Sequence, residues 1–332
     1  MTPRSIGLVY ELFGSYPPRL GDAPDADVEY EPEATLVALE SALRRLGHRP
    51  VRIGRPHELL TAGAKGDLAV DAALSIAEGF GSRNREAWAP VLLEMLEIPR
   101  LGSDALTLSL SLDKAWTRAV VADAGVPVAP GAVLASREAA RALDPPGGFP
   151  CFVKPRWEGS AKGIGLRSRA DDREQLADAV ARVVERYHQP ALVERFLPGP
   201  EYTVTLIGND PPRALPVLQR ALEETTRIGL HAVEPGNPTP LRHVVPGALD
   251  EKLEGELVRM ATLAYDALEC LDFARADLKC DEAGRPHFLE INPLPTFAPD
   301  GSFGITAELL GRPLDDLLAE VLGLGLRRLG VA

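Results

Sequence analysis

The apolar positions of this chain alternate between two periods. Within residues 33–46, Leu36, Leu39, Leu43 and Leu46 recur at helical spacing, and Gly47 ends the run. Shorter apolar runs at residues 6–10, 50–53 and 68–76 read as strands. The last is followed by the loop Glu78-Gly-Phe-Gly-Ser-Arg-Asn84 and a helix reaching Leu96. Strands alternating with helices predict a parallel α/β layer over about the first hundred residues. Beyond Leu101-Gly-Ser-Asp104 the pattern changes. Asp113 can cap a helix that runs to Asp123 and stops at Gly125, and Ser136 can cap another. Strands are expected at residues 151–155, 164–167 and 191–196, with a helix over 171–186. Leu197-Pro-Gly-Pro200 breaks the chain again, and residues 201–207 are strongly β-prone. Residues 223–247 are rich in Pro, Gly and polar side chains and read as one long loop, of the kind that often forms a lid. A helix over 250–268 precedes a final pair of strands.

A chain of 332 residues is too long for one ordinary domain, and the two breaks divide it into 1–104, 105–197 and 198–332. With 45% apolar and 25% charged residues it should build sizeable cores. A formal net charge of −12 argues against a nucleic-acid or anionic-membrane partner, since both need a basic footprint. It leaves room for ATP, for which a local pocket of lysines and arginines suffices. Cys151, Cys270 and Cys280 have no CxxC spacing and fit reduced cytoplasmic thiols. The sequence shows no HxxxH pair, no signal-like N-terminus, no internal repeat and no apolar run long enough to span a bilayer. A cytoplasmic location is expected.

The densest chemistry lies in the final strand pair, Phe273-Ala-Arg-Ala-Asp-Leu-Lys-Cys280 and Arg285-Pro-His-Phe-Leu-Glu-Ile-Asn292, joined by Asp281-Glu-Ala-Gly284. Side chains alternate faces along a strand. Phe273, Arg275 and Asp277 therefore share one face, and Phe288, Glu290 and Asn292 share another. If the charged faces coincide, two carboxylates and an amide oxygen converge beside Arg275. Those are hard ligands suited to magnesium held together with phosphates. A solvated hairpin face with an Arg–carboxylate pair fits the same pattern. The stiff exit Pro293-Leu-Pro295 favours a strand end that places ligands.

A glycine-rich turn, Glu158-Gly-Ser-Ala-Lys-Gly-Ile-Gly165, sits between two short strands. Its glycines let backbone N–H groups approach an anion closely. It lacks the GxxxxGK[ST] pattern and is not followed directly by a helix, so neither a Walker loop nor a dinucleotide fingerprint fits. Lys154 lies inside the apolar strand Phe152-Val-Lys-Pro155, where an unpaired ammonium is costly and a phosphate would satisfy it, while an edge-strand lysine kept soluble at its tip fits the same position.

The order Leu112-Asp-Lys114, Val153-Lys-Pro155, Glu158-Gly-Ser160, Val193-Glu-Arg-Phe-Leu-Pro-Gly-Pro-Glu201, Arg275-Ala-Asp277 and Glu290-Ile-Asn292 resembles the ATP-grasp enzymes, and most of all their D-alanine–D-alanine ligase branch. The resemblance covers residues 113–209 and 271–292. It implies three α/β domains, the first Rossmann-like, with ATP between the second and third. In that family pattern Lys114 and Lys154 would contact phosphates, and the loop with Glu158, Gly159, Ser160 and Gly163 would close over them. Glu194, Arg195, Phe196 and Leu197 would frame the adenine, and Glu201 the ribose. Asp277, Glu290 and Asn292 would hold two magnesium ions, or manganese. Arg275, with Ser160, would serve the reacting acyl group. The implied reaction joins an amino-acid-like carboxylate to an amine through an acyl phosphate. The resemblance also allows a homodimer.

The sequence departs from the branch where substrate should bind. The family's N-terminal Ser-Glu element for the first substrate's ammonium is missing, with Glu29, Glu31 or Glu33 as stand-ins. Glu78 and Glu86 are further candidates for amino-group recognition. The lid tyrosine and lysine are also missing; residues 223–247 offer Arg227, His231 and Arg242, of which Arg227 is the candidate for reaching phosphate. The serine for the second amino acid is Ser302, displaced in register. These departures point to an acceptor other than alanine. Two alternatives stand beside a D-alanine–D-alanine ligase: an amino-acid ligase of specialised metabolism, and a non-catalytic ATP-binding regulator on the same fold.

Overall fold

The structure is a computed structural model that describes residues 2–233 and 249–331, with the backbone of Val244–Val245. Three sheets organise it. The first is parallel, in the order Arg49–Gly54, Ser5–Val9, Ala72–Ser75, Arg100–Leu101. Its third strand is shorter than the apolar run 68–76 suggests. Asp71 donates its N–H to the Ser5 carbonyl at 2.8 Å, while its carboxylate takes the Ser5 N–H at 2.7 Å, and the regular ladder starts at Ala72. Helix Glu33–Arg45 buries Leu36, Leu39 and Leu43 on this layer, as the spacing predicts.

The second sheet is antiparallel, in the order Gly131–Leu134, Ala191–Arg195, Cys151–Pro155, Arg169–Ala170. Helix Arg173–Tyr187 covers it with Leu176, Val180 and Val183. The strand expected at 164–167 is absent: residues Leu166–Ser168 form a single 3₁₀ turn. Ser168 Oγ accepts the Gly165 N–H at 3.1 Å and closes that turn before pairing starts at Arg169.

The third sheet runs Val244–Val245, Leu218–Arg220, Glu201–Ile207, Phe273–Cys280, Pro286–Asn292, with Arg213–Ala214 paired to the Glu201–Ile207 strand. Helix Glu251–Ala267 packs Leu257, Met260, Ala261 and Ala264 against one face. The stretch 223–247 is not a single loop. It contains helix Leu230–Val233, and Val244–Val245 pairs with Leu218–Arg220. The rest of that stretch, with Arg242 and most of the suggested lid, lies outside the described residues.

Two C-terminal helices, Ser302–Leu309 and Leu314–Arg328, return to the first layer. Leu317, Leu318, Val321 and Leu322 join Leu36, Leu39, Leu43, Phe273, Phe297 and Phe303 in one core. Asp272 fastens this junction, accepting hydrogen bonds from Gly102 N–H at 2.8 Å, Asn209 Nδ2 at 2.9 Å and Arg328 Nε at 2.7 Å. Among the described residues no helix is long and apolar enough to cross a membrane.

Candidate active site

The hairpin Phe273–Cys280/Pro286–Asn292 places its charged residues as the alternation requires. Asp277 lies directly opposite Glu290, and Arg275 opposite Asn292. The turn between the strands is held by Asp281, whose carboxylate accepts the N–H groups of Ala283 and Arg285 at 2.9 Å each. One part of the face assignment is wrong. The register shifts after Asp277, so Leu278 pairs with Phe288 and Leu289 is the extra residue of a bulge. Phe288 turns into the core, fully buried, while Leu289 joins Glu290 on the cavity side. Asp277 accepts a hydrogen bond from Thr203 Oγ1 at 2.7 Å and another from Arg275 Nη2 at 3.0 Å.

This face forms one wall of a cavity of about 310 Å³ between the second and third sheets. Of the residues expected from sequence, Lys114, Lys154, Glu158, Ser160, Glu194, Arg195, Phe196, Leu197, Glu201, Arg275, Asp277 and Glu290 line it. Asn292 does not reach the wall; its Oδ1 accepts the Leu294 N–H at 2.9 Å. Gly159 and Gly163, in the same loop, do not line the cavity. Gly163 has φ +72°, and a Cβ there would sit 2.6 Å from the Pro155 ring, so only glycine fits.

The cavity has two ends. At one, Lys114 Nζ lies 3.3 Å from Glu290 and donates to the Glu158 carbonyl. Lys114 is positioned at the start of helix Lys114–Asp123, capped by the buried Asp113. Burial works against the charge on Glu290, but Lys114, Lys154 and Arg275 outweigh it and hold the carboxyl well below its usual range. At the other end, Lys279 Nζ donates to Glu201 at 3.0 Å, beside Phe196, Leu197 and His231. Lys154 and Glu194, 2.8 Å apart, lie between the two, and Arg118 donates to Glu194 as well. Burial opposes the Glu194 charge; Lys154 and Arg118 prevail and lower its pKa.

Sequence reasoning missed Arg118, Lys162, Thr203, Arg220 and Lys279. Lys279 was within reach, because it continues the alternation 275, 277, 279. Arg118, Thr203 and Arg220 meet their partners only through the fold. Taken singly, Glu194 and Glu201 look like surface residues in the sequence, yet both are buried. Arg227, the candidate for a phosphate contact, instead donates from Nε to the Pro198 carbonyl at 3.1 Å and is not in the cavity wall.

Against the glycine-rich loop stands a buried ionic cluster from the first layer. Glu29 receives Arg85 Nη2 at 3.0 Å, Lys162 Nζ at 2.6 Å and the Gly159 N–H at 2.7 Å. Burial opposes the Glu29 charge, but Arg85 and Lys162 hold its pKa far below normal. Glu86, at a side-chain exposure of 9%, sits 4.0 Å from Arg85. Burial, set against Arg85, raises its pKa to about 7, with the Glu29 charge adding to the rise. Glu78 is raised too, by burial and by Glu86. Glu31 accepts hydrogen bonds from Thr35 at 2.6 Å and Thr296 at 3.0 Å. Ser302 begins helix Ser302–Leu309; its Oγ and the Thr306 Oγ1 one turn on are enclosed without a hydrogen-bond partner among the described residues.

The Glu86 shift gives a testable pH dependence. A carboxyl whose pKa is about 7 when folded and near 4.5 unfolded keeps its proton longer in the folded state. Its contribution to stability is full below the unfolded value and is lost as pH rises through 7. Glu86→Gln should therefore stabilise the ligand-free protein at pH 8 by about 1–3 kcal/mol and change little at pH 4.5. Thermal denaturation at both pH values measures this. An equal effect at both would remove Glu86 from the titrating cluster.

Three α/β layers with a cation-lined cleft between the second and third define the ATP-grasp architecture. The family model described as the D-ala D-ala ligase C-terminus matches residues 120–323. An uncharacterised protein of Sinorhizobium fredii is 31% identical over 76% of this chain and 74% of its own length. The D-alanine–D-alanine ligase of Alcanivorax borkumensis is 32% identical over 70% of each chain. The crystal structure of D-alanine–D-alanine ligase from Bacillus anthracis, complexed with ATP, matches 98% of both chains with a TM-score of 0.70 at 19% identity. This chain belongs to the D-alanine–D-alanine ligase family.

Proposed function

We propose that the protein is an ATP- and magnesium-dependent ligase that joins an amino-acid-like carboxylate to an amine. The observation that carries this reading is the pairing of Asp277 with Glu290, set beside Arg275 in the wall of a cavity that also holds Lys114 and Lys154. Among the described residues no three His, Cys, Asp or Glu side chains converge on a metal-sized space. The two carboxylates Asp277 and Glu290 are an incomplete oxygen set, which fits a magnesium ion that takes its other ligands from phosphates and water. Asp277 and Glu290 would hold it, without Asn292, whose side-chain oxygen is taken by the Leu294 N–H, and when bound it neutralises charge on the phosphates as the γ-phosphoryl group moves.

The side chains divide the remaining work. Phe196 and Leu197 give apolar surface for the base, and Glu201, beside Lys279, can accept hydrogen bonds from the ribose. Lys114 and Lys154 offset phosphate charge. A carboxylate is a poor electrophile; once phosphorylated it can be attacked by an amine. Arg275 then stabilises the oxyanion of the tetrahedral intermediate. The loop 158–163 excludes water, which would otherwise hydrolyse the acyl phosphate.

For the substrate, Glu29 is already neutralised by two cations, so the amino group is assigned to Glu78 and Glu86, which burial keeps protonated more readily than free carboxyls and which an arriving ammonium would ionise. Ser302 is assigned to the acceptor's carboxylate. This rearranged pocket favours an acceptor other than D-alanine. ADP release and product mass, measured over D- and L-amino acids singly and in pairs, test the proposal. Efficient D-alanyl-D-alanine formation, near the enzyme median of roughly 10 per second, would refute the altered specificity alone.

A further inference from the structure

The glycine-rich loop meets anions of its own chain in this structure. The Gly159 N–H donates to Glu29 at 2.7 Å, and the Gly163 N–H donates to Asp25 at 3.1 Å. Asp25 is held in turn by the Tyr187 hydroxyl at 2.8 Å. Between those two amides, Lys162 is 7% exposed and lines the nucleotide cavity. Its ammonium bridges Glu29, at 2.6 Å, and Glu158. Glu158 also ties the loop to Lys114, which donates to its carbonyl. Lys162 thus stands at the Lys114–Glu290 end of the cavity, away from the Glu201–Lys279 end.

We propose that Lys162 is a further catalytic residue of this enzyme, one that contacts the γ-phosphoryl group of ATP. This rests on the ATP reading of the cleft given above. In the free protein two carboxylates keep the ammonium charged and aimed along the loop. An arriving γ-phosphate offers a third anionic partner at the same end, and the lysine exchanges a carboxylate for it. Such an exchange replaces one charge-assisted hydrogen bond by another, so the buried ammonium is never left unpaired. Lys162 keeps its proton and forms no covalent bond. Arg227 cannot take this part while its side chain is turned to Pro198.

The test compares two nucleotides in calorimetry: ADP and an ATP analogue with a non-hydrolysable β,γ-bridge, both with magnesium. Lys162→Met should weaken the analogue by about 10- to 100-fold, the worth of one charge-assisted hydrogen bond, while ADP affinity changes little. Lys162→Arg should restore most of the difference. A structural lysine would weaken both nucleotides alike, and that result would overturn the proposal. Because Lys162→Met leaves Glu29 and Glu158 with less compensation, the same pair of measurements on Glu29→Gln and Glu29→Gln/Lys162→Met repeats the comparison with one carboxylate charge removed. An unchanged preference for the analogue in the double variant would also overturn it. If the unaltered protein bound neither nucleotide, the ATP reading itself would fall and this inference with it. If the unaltered protein and Lys162→Met preferred the analogue equally, only the inference would fall.

Discussion

Asp277→Asn is expected to lower turnover by at least about 100-fold while leaving the fold intact, because charge stabilisation by a bound metal is worth several kcal/mol in the transition state. Asparagine keeps the size of the side chain and, with its single oxygen, can still accept from one of Thr203 and Arg275, which hold the two carboxylate oxygens at 2.7 and 3.0 Å. What it loses is the negative charge opposite Glu290. The variant should also need more magnesium for half-maximal rate. Turnover measured across a magnesium titration reads both effects. Near-normal turnover at ordinary magnesium would move the metal away from this hairpin.

Lys154→Met should abolish tight ATP binding, and it should destabilise the protein as well. Sequence alone suggests little loss of fold, since methionine preserves much of the aliphatic stem. The structure changes that expectation, because Lys154 is the 2.8 Å partner of the buried Glu194. Removing one member of a buried ion pair costs about 3–5 kcal/mol. Arg118 remains beside Glu194, so the loss should fall at the lower end of that range. Because Glu194→Gln alone would strand Arg118 in turn, the triple variant Arg118→Met/Lys154→Met/Glu194→Gln is the one that removes all three buried charges. It should recover most of the thermal stability and none of the ATP affinity. Recovery of both would make Lys154 a structural partner of Glu194 and nothing more.

The helix over residues 33–45 and the final hairpin were legible because each follows from a local period, 3.6 in one and 2 in the other. The opposition of Asp277 and Glu290 needed only alternation and a tight turn. The bulge at Leu289 was not legible, since nothing in the strand's composition marks which residue will be the extra one. Lys162 and Glu29 are separated by more than a hundred residues, and their pairing depends on how the first layer docks against the loop. The burial of Glu194 and Glu201 likewise depends on cations from elsewhere in the fold, Lys154, Arg118 and Lys279. The C-terminal helices went unread because the apolar face of Leu314–Arg328 is completed by residues at the opposite end of the chain. The proposed substrate site was the least legible part. The buried acids Glu29, Glu78 and Glu86, the last two proposed for the substrate's amino group, have no shared spacing and are brought together around Arg85 only by packing.

The central claim is that the cleft uses ATP to activate a carboxylate for attack by an amine. Its most direct test is ADP release by the purified protein with magnesium, over D- and L-amino acids offered singly and in pairs, with the mass of each product determined. One pair should stimulate ADP release strongly and yield a product whose mass is the sum of the two less one water. ATP binding without amino-acid-stimulated ADP release or any condensed product would contradict it, and would leave a nucleotide-binding protein on a ligase fold.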